Sequence, residues 1–242
     1  MSARQAGLVV AVDGPSGSGK SSVCRRVAAR LGLSYLDTGA MYRAAAWWCL
    51  DQGVDLTDAD AVLAATRAMD LVMGVDPDAP TVTVAGTDVG VAIRTPEISG
   101  VVSLVATNLA ARAELGNRQR AIIEAERTGG RSGGRGVVAE GRDITTVIAP
   151  DAPVRVLLTA SEEARLARRA LEVHGTADAA AVAATREHVV GRDAKDSTVV
   201  QFQVAADGVA TVDSSALTFD ETVEAVLAVV RRLTETEPEA MS

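Results

Sequence analysis

Between Leu8 and Asp13 the chain reads L-V-V-A-V-D, an apolar run with no polar alternation, which predicts a strand covered on both faces. The period then changes. Val23, Val27 and Leu31 share one face of a helix, Arg25, Arg26 and Arg30 lie opposite, and Gly32 supplies the stop. Residues 33–36 form a second short strand, followed by a helix that runs to about Gln52, before Gly53. A helix reaching about Met69 starts at Thr57, where Thr57 and Asp60 have capping-box spacing. Residues 81–85 and 88–93 alternate with period two around Gly86, which predicts an exposed hairpin. Helices follow over 96–107 and 109–127, then a glycine-rich connector over 128–136. Strands are expected at 136–140, 154–158 and 209–212. Helices are expected at 162–173, over a polar segment reaching about Ser197, and at 219–233.

Buried strands alternating with amphipathic helices predict an α/β fold with a central parallel sheet. The stretch after the first strand sharpens this reading. Gly14-Pro15-Ser16-Gly17-Ser18-Gly19-Lys20-Ser21-Ser22 satisfies G-x-x-x-x-G-K-[ST] at every fixed position, in the strand, loop, helix order of a P-loop. Glycines let consecutive backbone N–H groups curve around phosphate oxygens, and the positive end of the next helix faces the same anion. All nine residues are candidate ATP contacts, with Lys20 reaching the outer phosphates and Ser21 offering a hydroxyl to Mg²⁺. The expected architecture is a three-layer P-loop NTPase fold within residues 7–234. Its core is 7–52, 128–173 and 205–234, with an inserted acceptor-binding region at 53–127, a small lid at 174–200, and flexible tails at 1–6 and 235–242.

Two further clusters carry candidate chemistry. Asp37, Thr38, Tyr42 and Arg43 stand at the mouth of a helix that turns apolar at Ala44. They suit a site, or N-capping by Thr38 or Asp37 with the other two solvated. Gly141-Arg142-Asp143 follows a buried strand, at the carboxyl end where open α/β sheets bind ligands; a surface Arg–Asp turn is the alternative. Arg186, Arg192 and Lys195 make the segment before Ser197 basic, as a lid over phosphates would be, or as an ordinary solvated helix face.

The composition bounds the partners. A net charge of −8 disfavours a nucleic-acid polymer or an anionic membrane, so a bound anion must be met by local basic residues. Cys24 and Cys49 have no ligand or disulfide spacing and are expected as buried free thiols. The first seven residues are short and polar, and the apolar run after them is too brief for a signal peptide or membrane span. A cytoplasmic monomer is expected.

Five segments together resemble the bacterial cytidylate kinases over nearly the whole chain: D-G-P-S-G-S-G-K-S-S, Y-L-D-T-G-A-M-Y-R, V-A-I-R-T-P-E-I, A-E-G-R-D-I and P-D-A-P-V-R-V-L-L-T-A-S. The resemblance implies Mg²⁺-dependent transfer of the ATP γ-phosphoryl group to CMP or dCMP. By position it implies Thr38, Tyr42 and Arg43 around the acceptor phosphate and sugar, with Arg94 as a further candidate CMP contact. Ser103, Arg112 and Asp143 fall at the cytosine ring, and Arg192 and Asp196 at the ribose hydroxyls. Arg142 matches a phosphate-clamping arginine, Arg165, Arg168 and Arg169 are candidates to screen the transferring group, and Ser21 with Asp37, through water, matches the metal site. The sequence departs from the family pattern at Val199, where an arginine is usual, at Phe202-Gln203 in place of Pro-Leu, at Thr145 in place of glycine, and in lacking a proline shortly before Arg112. Loss of one charge-assisted contact at Val199 corresponds to about 1.5–3 kcal/mol. A kinase for another nucleotide or phosphorylated metabolite, or an ATP-binding switch without transfer activity, are the alternatives.

Overall fold

The computed structural model describes residues 6–235. The expected tails lie outside the described residues except for Ala6 and Glu235. Five parallel strands form the central sheet in the order β2 (Ser34–Asp37), β6 (Gly136–Gly141), β1 (Leu8–Asp13), β7 (Val154–Thr159) and β8 (Ala210–Asp213). The register sets Asp13 level with Gly141, and Asp37 level with Glu140. Three strands therefore end together, and their last residues are mostly acidic or glycine.

Successive β1 side chains point to opposite faces, and each face has its own helices. Val10 and Val12 pack with Val23 and Val27 of α1 (Lys20–Leu31) and with Val223, Val226 and Val230 of α8 (Phe219–Glu235). Val9 and Ala11 pack with Met41 of α2 (Thr38–Asp51) and Ile123 of α5 (Leu109–Thr128). This is why the strand carries no polar alternation.

A third cluster builds outward from α2. Ala44, Ala45, Ala46 and Cys49 meet Val62 of α3 (Ala59–Ala68), Val102 and Val105 of α4 (Pro96–Ala106), and Ala111 and Leu115 of α5. A small antiparallel sheet, β3 (Leu71–Met73), β4 (Val82–Val84) and β5 (Thr87–Asp88), closes this side. The remaining helices are α6 (Glu162–His174) and α7 (Ala179–Asp196).

Three local expectations need correction. The second arm of the predicted hairpin is only Thr87–Asp88; Val89 and Ile93 then turn inward four residues apart, and the chain closes a 3-10 turn at Ala92–Arg94. The cap of α3 is Asp58, whose carboxylate accepts from the Asp60 and Ala61 N–H groups, while Thr57 bonds Asp55 instead. A π-helical turn at Ile144–Ile148, absent from the periodicity, is held by Asp13. Its carboxylate accepts from the Ile144 N–H, the Thr145 N–H and the Thr145 hydroxyl.

Candidate functional site

The turn after β1 is shaped by close backbone approach. A side chain at Gly14 would stand 2.1 Å from the Leu158 carbonyl oxygen, and Gly19 enters α1 with φ at 86°, a left-handed conformation that favours glycine. Lys20 opens α1 and bends back over the loop, its ammonium donating to the Pro15 carbonyl at 2.9 Å. Burial pushes the Lys20 pKa down, and the nearby Glu140 carboxylate pulls it partly back.

This loop forms one wall of a cavity of about 680 Å³. Seven basic side chains line it against three acidic ones, in a protein whose overall charge is −8. Ser16, Gly17, Gly19, Lys20, Ser21 and Ser22 come from the loop and α1; Arg43 and Arg94 face them from α2 and the 3-10 turn, Arg142 from the end of β6, Arg169 from α6 and Arg192 from α7. Lys20, Arg43 and Arg142 thus share one space. Gly14, Pro15 and Ser18 shape the loop from behind and do not line the cavity.

At the floor, the strand ends bring Asp37 and Glu140 together beside Ser21. Burial raises the Glu140 pKa, Asp37 raises it further, and Lys20, the Ser21 hydroxyl and the Tyr35 hydroxyl oppose this. Asp37 serves two ends: one oxygen caps α2 by accepting from the Ala40 N–H at 2.9 Å, and the other pairs with Arg94 at 3.5 Å. Capping by Asp37 is therefore real, but the Tyr42 side chain is buried rather than solvated.

A second, tight recess of about 50 Å³ is lined by Thr38, Tyr42, Arg112, Arg142, Asp143, Arg192, Asp196 and Val200. Arg112 pairs with Asp143, donates to the Ala106 carbonyl at 2.9 Å, and lies 5.5 Å over the Tyr42 ring. Burial raises the Asp143 pKa, and Arg112 holds it back. The Thr38 hydroxyl donates to the Glu140 carbonyl at 2.7 Å. Ser103 stands outside the recess, its hydroxyl donating to Asp196 at 3.1 Å.

The end of α7 is tied to Arg142 and to the glycine-rich loop through its carboxylates. Arg142 pairs with Asp193 at 2.9 Å and with Asp196 at 2.5 Å; Arg165 pairs with Asp193 at 2.6 Å; the Ser16 N–H donates to Asp193 at 3.2 Å. The three α6 arginines, one group in sequence, separate in space. Arg165 holds α7 to the loop, and Arg168 donates to the Ser214 hydroxyl at 2.9 Å and the Ser214 carbonyl at 2.6 Å, outside the cavity; Arg169 lines it.

Sequence reasoning missed Glu140, Asp193 and Phe202. Glu140 and Gly141 end the same strand that delivers Arg142, so position at a carboxyl end was an available signal. Asp193 follows Arg192 in a polar helix, and nothing in its periodicity marks it. Phe202, 1% exposed, places its ring 4.6 Å from the Arg142 guanidinium.

A family model for cytidylate kinase matches residues 10–232. The chain belongs to the cytidylate kinase family. It is 46% identical over 224 residues to the cytidylate kinase of Streptomyces avermitilis, covering 92% of each chain. It is 45% identical over 225 residues to the cytidylate kinase of Cutibacterium acnes, covering 92% of this chain and 96% of that one. A bifunctional pantoate ligase/cytidylate kinase of Synechococcus sp. is 42% identical over 221 residues, and the match spans 43% of that longer protein. Two of the positions read above as unusual have visible partners: Thr145 bonds Asp13, and Phe202 faces Arg142. Nothing in the structure accounts for Val199. Among the described residues, no helix is long and apolar enough to cross a membrane, and no three or more His, Cys, Asp or Glu side chains cluster so as to hold a metal alone.

Proposed function

We propose that this protein transfers the γ-phosphoryl group of ATP to CMP and dCMP, releasing ADP and the nucleoside diphosphate. The observation that carries this reading is the cavity itself, where Lys20 on the glycine-rich loop and Arg43, Arg142 and Arg169 across from it face one space. Two phosphorylated molecules set end to end need this distribution of positive charge. The reaction requires chiefly alignment and charge neutralisation, which fixed guanidinium groups and backbone N–H groups supply.

Lys20 and the loop N–H groups hold the donor phosphates. Ser21 offers a hydroxyl at the cavity floor, and the Asp37 and Glu140 carboxylates stand beside it. This all-oxygen donor set fits a magnesium ion that keeps most of its waters. When bound, the ion neutralises charge on the donor's outer phosphates. Arg43 and Arg142 clamp the acceptor phosphate, with Arg94 at its edge. No general base is needed, because the attacking phosphate oxygen is already ionised at neutral pH.

In the second recess, an ionised Asp143 accepts a hydrogen bond from the exocyclic amine of cytosine. Uracil presents an oxygen at that position and is repelled. Arg112 holds Asp143 in place, and Arg192 and Asp196 serve the ribose hydroxyls. At about 50 Å³ the recess is smaller than a nucleotide, so the acceptor enters by moving α7 and the chain after it. Return of α7 excludes water and keeps the phosphoryl group from hydrolysis.

A coupled ADP-release assay with CMP, dCMP, UMP and AMP tests this. Turnover with CMP and dCMP well above UMP and AMP is expected. Equal rates for all four would reject the acceptor assignment, and ATP binding without transfer to any monophosphate would identify a switch protein.

A further inference from the structure

We propose that Asp193 is a positioning residue whose carboxylate occupies the seat of the phosphoryl group in transfer, gathering Arg142 and Arg165 about the Ser16 N–H until the donor's terminal phosphate displaces it. This rests on the reaction proposed above and adds to it a residue and an order of events.

The environment of Asp193 is that of a bound anion. Its side chain is 4% exposed, one oxygen accepts from the Ser16 N–H at 3.2 Å and pairs with Arg142 at 2.9 Å, and the other pairs with Arg165 at 2.6 Å. The three donors come from distant parts of the fold: the glycine-rich loop, the end of β6, and α6. They converge on this one carboxylate, and Arg165 is also held to the loop by its bond to the Ser16 carbonyl at 2.9 Å. Guanidinium groups left facing each other without the carboxylate would repel one another in a buried space.

The location follows from what the donors serve. Ser16 belongs to the loop that cradles the donor, and Arg142 lines both the large cavity and the acceptor recess. A group touching both lies between donor and acceptor. In the reaction only the phosphoryl group being passed occupies that place, so the carboxylate and the donor's terminal phosphate compete for the same contacts. Asp196, one turn away, pairs with Arg142 at 2.5 Å, so Arg142 keeps an anionic partner when Asp193 leaves. The exchange therefore strands neither charge, and it couples arrival of the triphosphate to release of the Asp193 side chain, the brace on the last turn of α7.

ATP and ADP affinities, measured by titration calorimetry without acceptor on wild type, Asp193→Asn and Asp193→Ala, test the proposal. ADP has no terminal phosphate to contest the seat. Both variants are expected to bind ATP about tenfold more tightly than wild type, a charge-assisted contact's worth of competition, with ADP affinity unchanged. A purely structural brace predicts the reverse, weaker or unchanged binding of both nucleotides, and equal tightening of both would reduce the effect to general charge removal; either result overturns the proposal. Should the variants fail to fold, hydrogen exchange on the wild type decides: a non-hydrolysable ATP analogue raises exchange in the last turn of α7 relative to ADP, and equal exchange overturns the proposal. CMP turnover is measured on the same wild-type preparation. Turnover without the ATP-over-ADP signature rejects the seat alone, whereas the signature without CMP turnover supports the seat and rejects the acceptor.

Discussion

The guanidinium of Arg142 lies 4.6 Å above the ring of Phe202, which is among the largest fully buried side chains of the protein. Two carboxylates hold the edge of Arg142, and the aromatic face holds its plane, so the group is confined in two directions before substrate arrives. Phe202→Leu stays apolar, removes the π face and leaves a small cavity. Stability is expected to fall by about 1–2 kcal/mol. The KM for CMP should rise about 2- to 30-fold, matching a cation–π contact of about 0.5–2 kcal/mol. Steady-state kinetics alongside thermal denaturation separates the two. An unchanged KM with a lowered Tm would reduce Phe202 to a filler.

Arg168 and Arg169 are neighbours in sequence with opposite assignments. Arg168 bonds Ser214, Leu217 and Ser18, tying α6 to the loop after β8, while Arg169 lines the cavity. Arg168→Leu should strand several carbonyl acceptors and cost about 2–4 kcal/mol in denaturant unfolding, with kcat affected less. Arg169→Leu should lower kcat by about 10²-fold or more, a larger effect on activity than Arg168→Leu gives. Reversal of the pattern would exchange their roles.

The contrast between these two arginines shows where sequence reading stops. The strands and most helices were legible because burial on both faces of β1 and helical spacing in α1 and α8 leave a strong period. The glycine-rich loop was legible because its chemistry needs fixed residues at fixed spacing. Helix α6 presents its three arginines at i, i+3 and i+4, and only the tertiary partners distinguish a brace from a cavity wall. Thr145 is similar. In sequence it is a departure from glycine, whereas in the fold it is a donor to the buried Asp13 and holds a π-helical turn that has no period of its own. Asp193 was illegible for the same reason, since its donors come from three separate segments.

Lys20 is buried, and its charge is disfavoured by that burial until an anion arrives. Lys20→Met keeps the length of the side chain and removes the buried charge. Loss of the contact to the Pro15 carbonyl offsets part of the relief, so unliganded stability should be unchanged or higher. The kcat should nonetheless fall by about 10²–10³-fold. Thermal denaturation and CMP-dependent ADP release check both halves. A variant that lost stability and activity together would show Lys20 acting mainly through the loop's structure.

With Asp143 in the proposed acceptor recess, activity toward CMP is expected to depend on pH. Burial raises its pKa above 3.8, and Arg112 opposes the rise. An Asp143 that accepts from the cytosine amine must be ionised, so kcat/KM for CMP should decline as pH falls through this raised value. Removing the opposing charge with Arg112→Leu should move that acid limb to higher pH. The acceptor phosphate also ionises near pH 6, but it does so identically for both enzymes, so the displacement between their profiles is the quantity to read. The linkage to stability has a definite sign. An acid whose folded pKa is raised contributes stability that is fully present below 3.8 and is lost as pH rises through the folded value. Arg112→Leu should therefore destabilise the protein more at pH 8 than at pH 4. Coincident acid limbs in wild type and variant would remove Asp143 from recognition of the base.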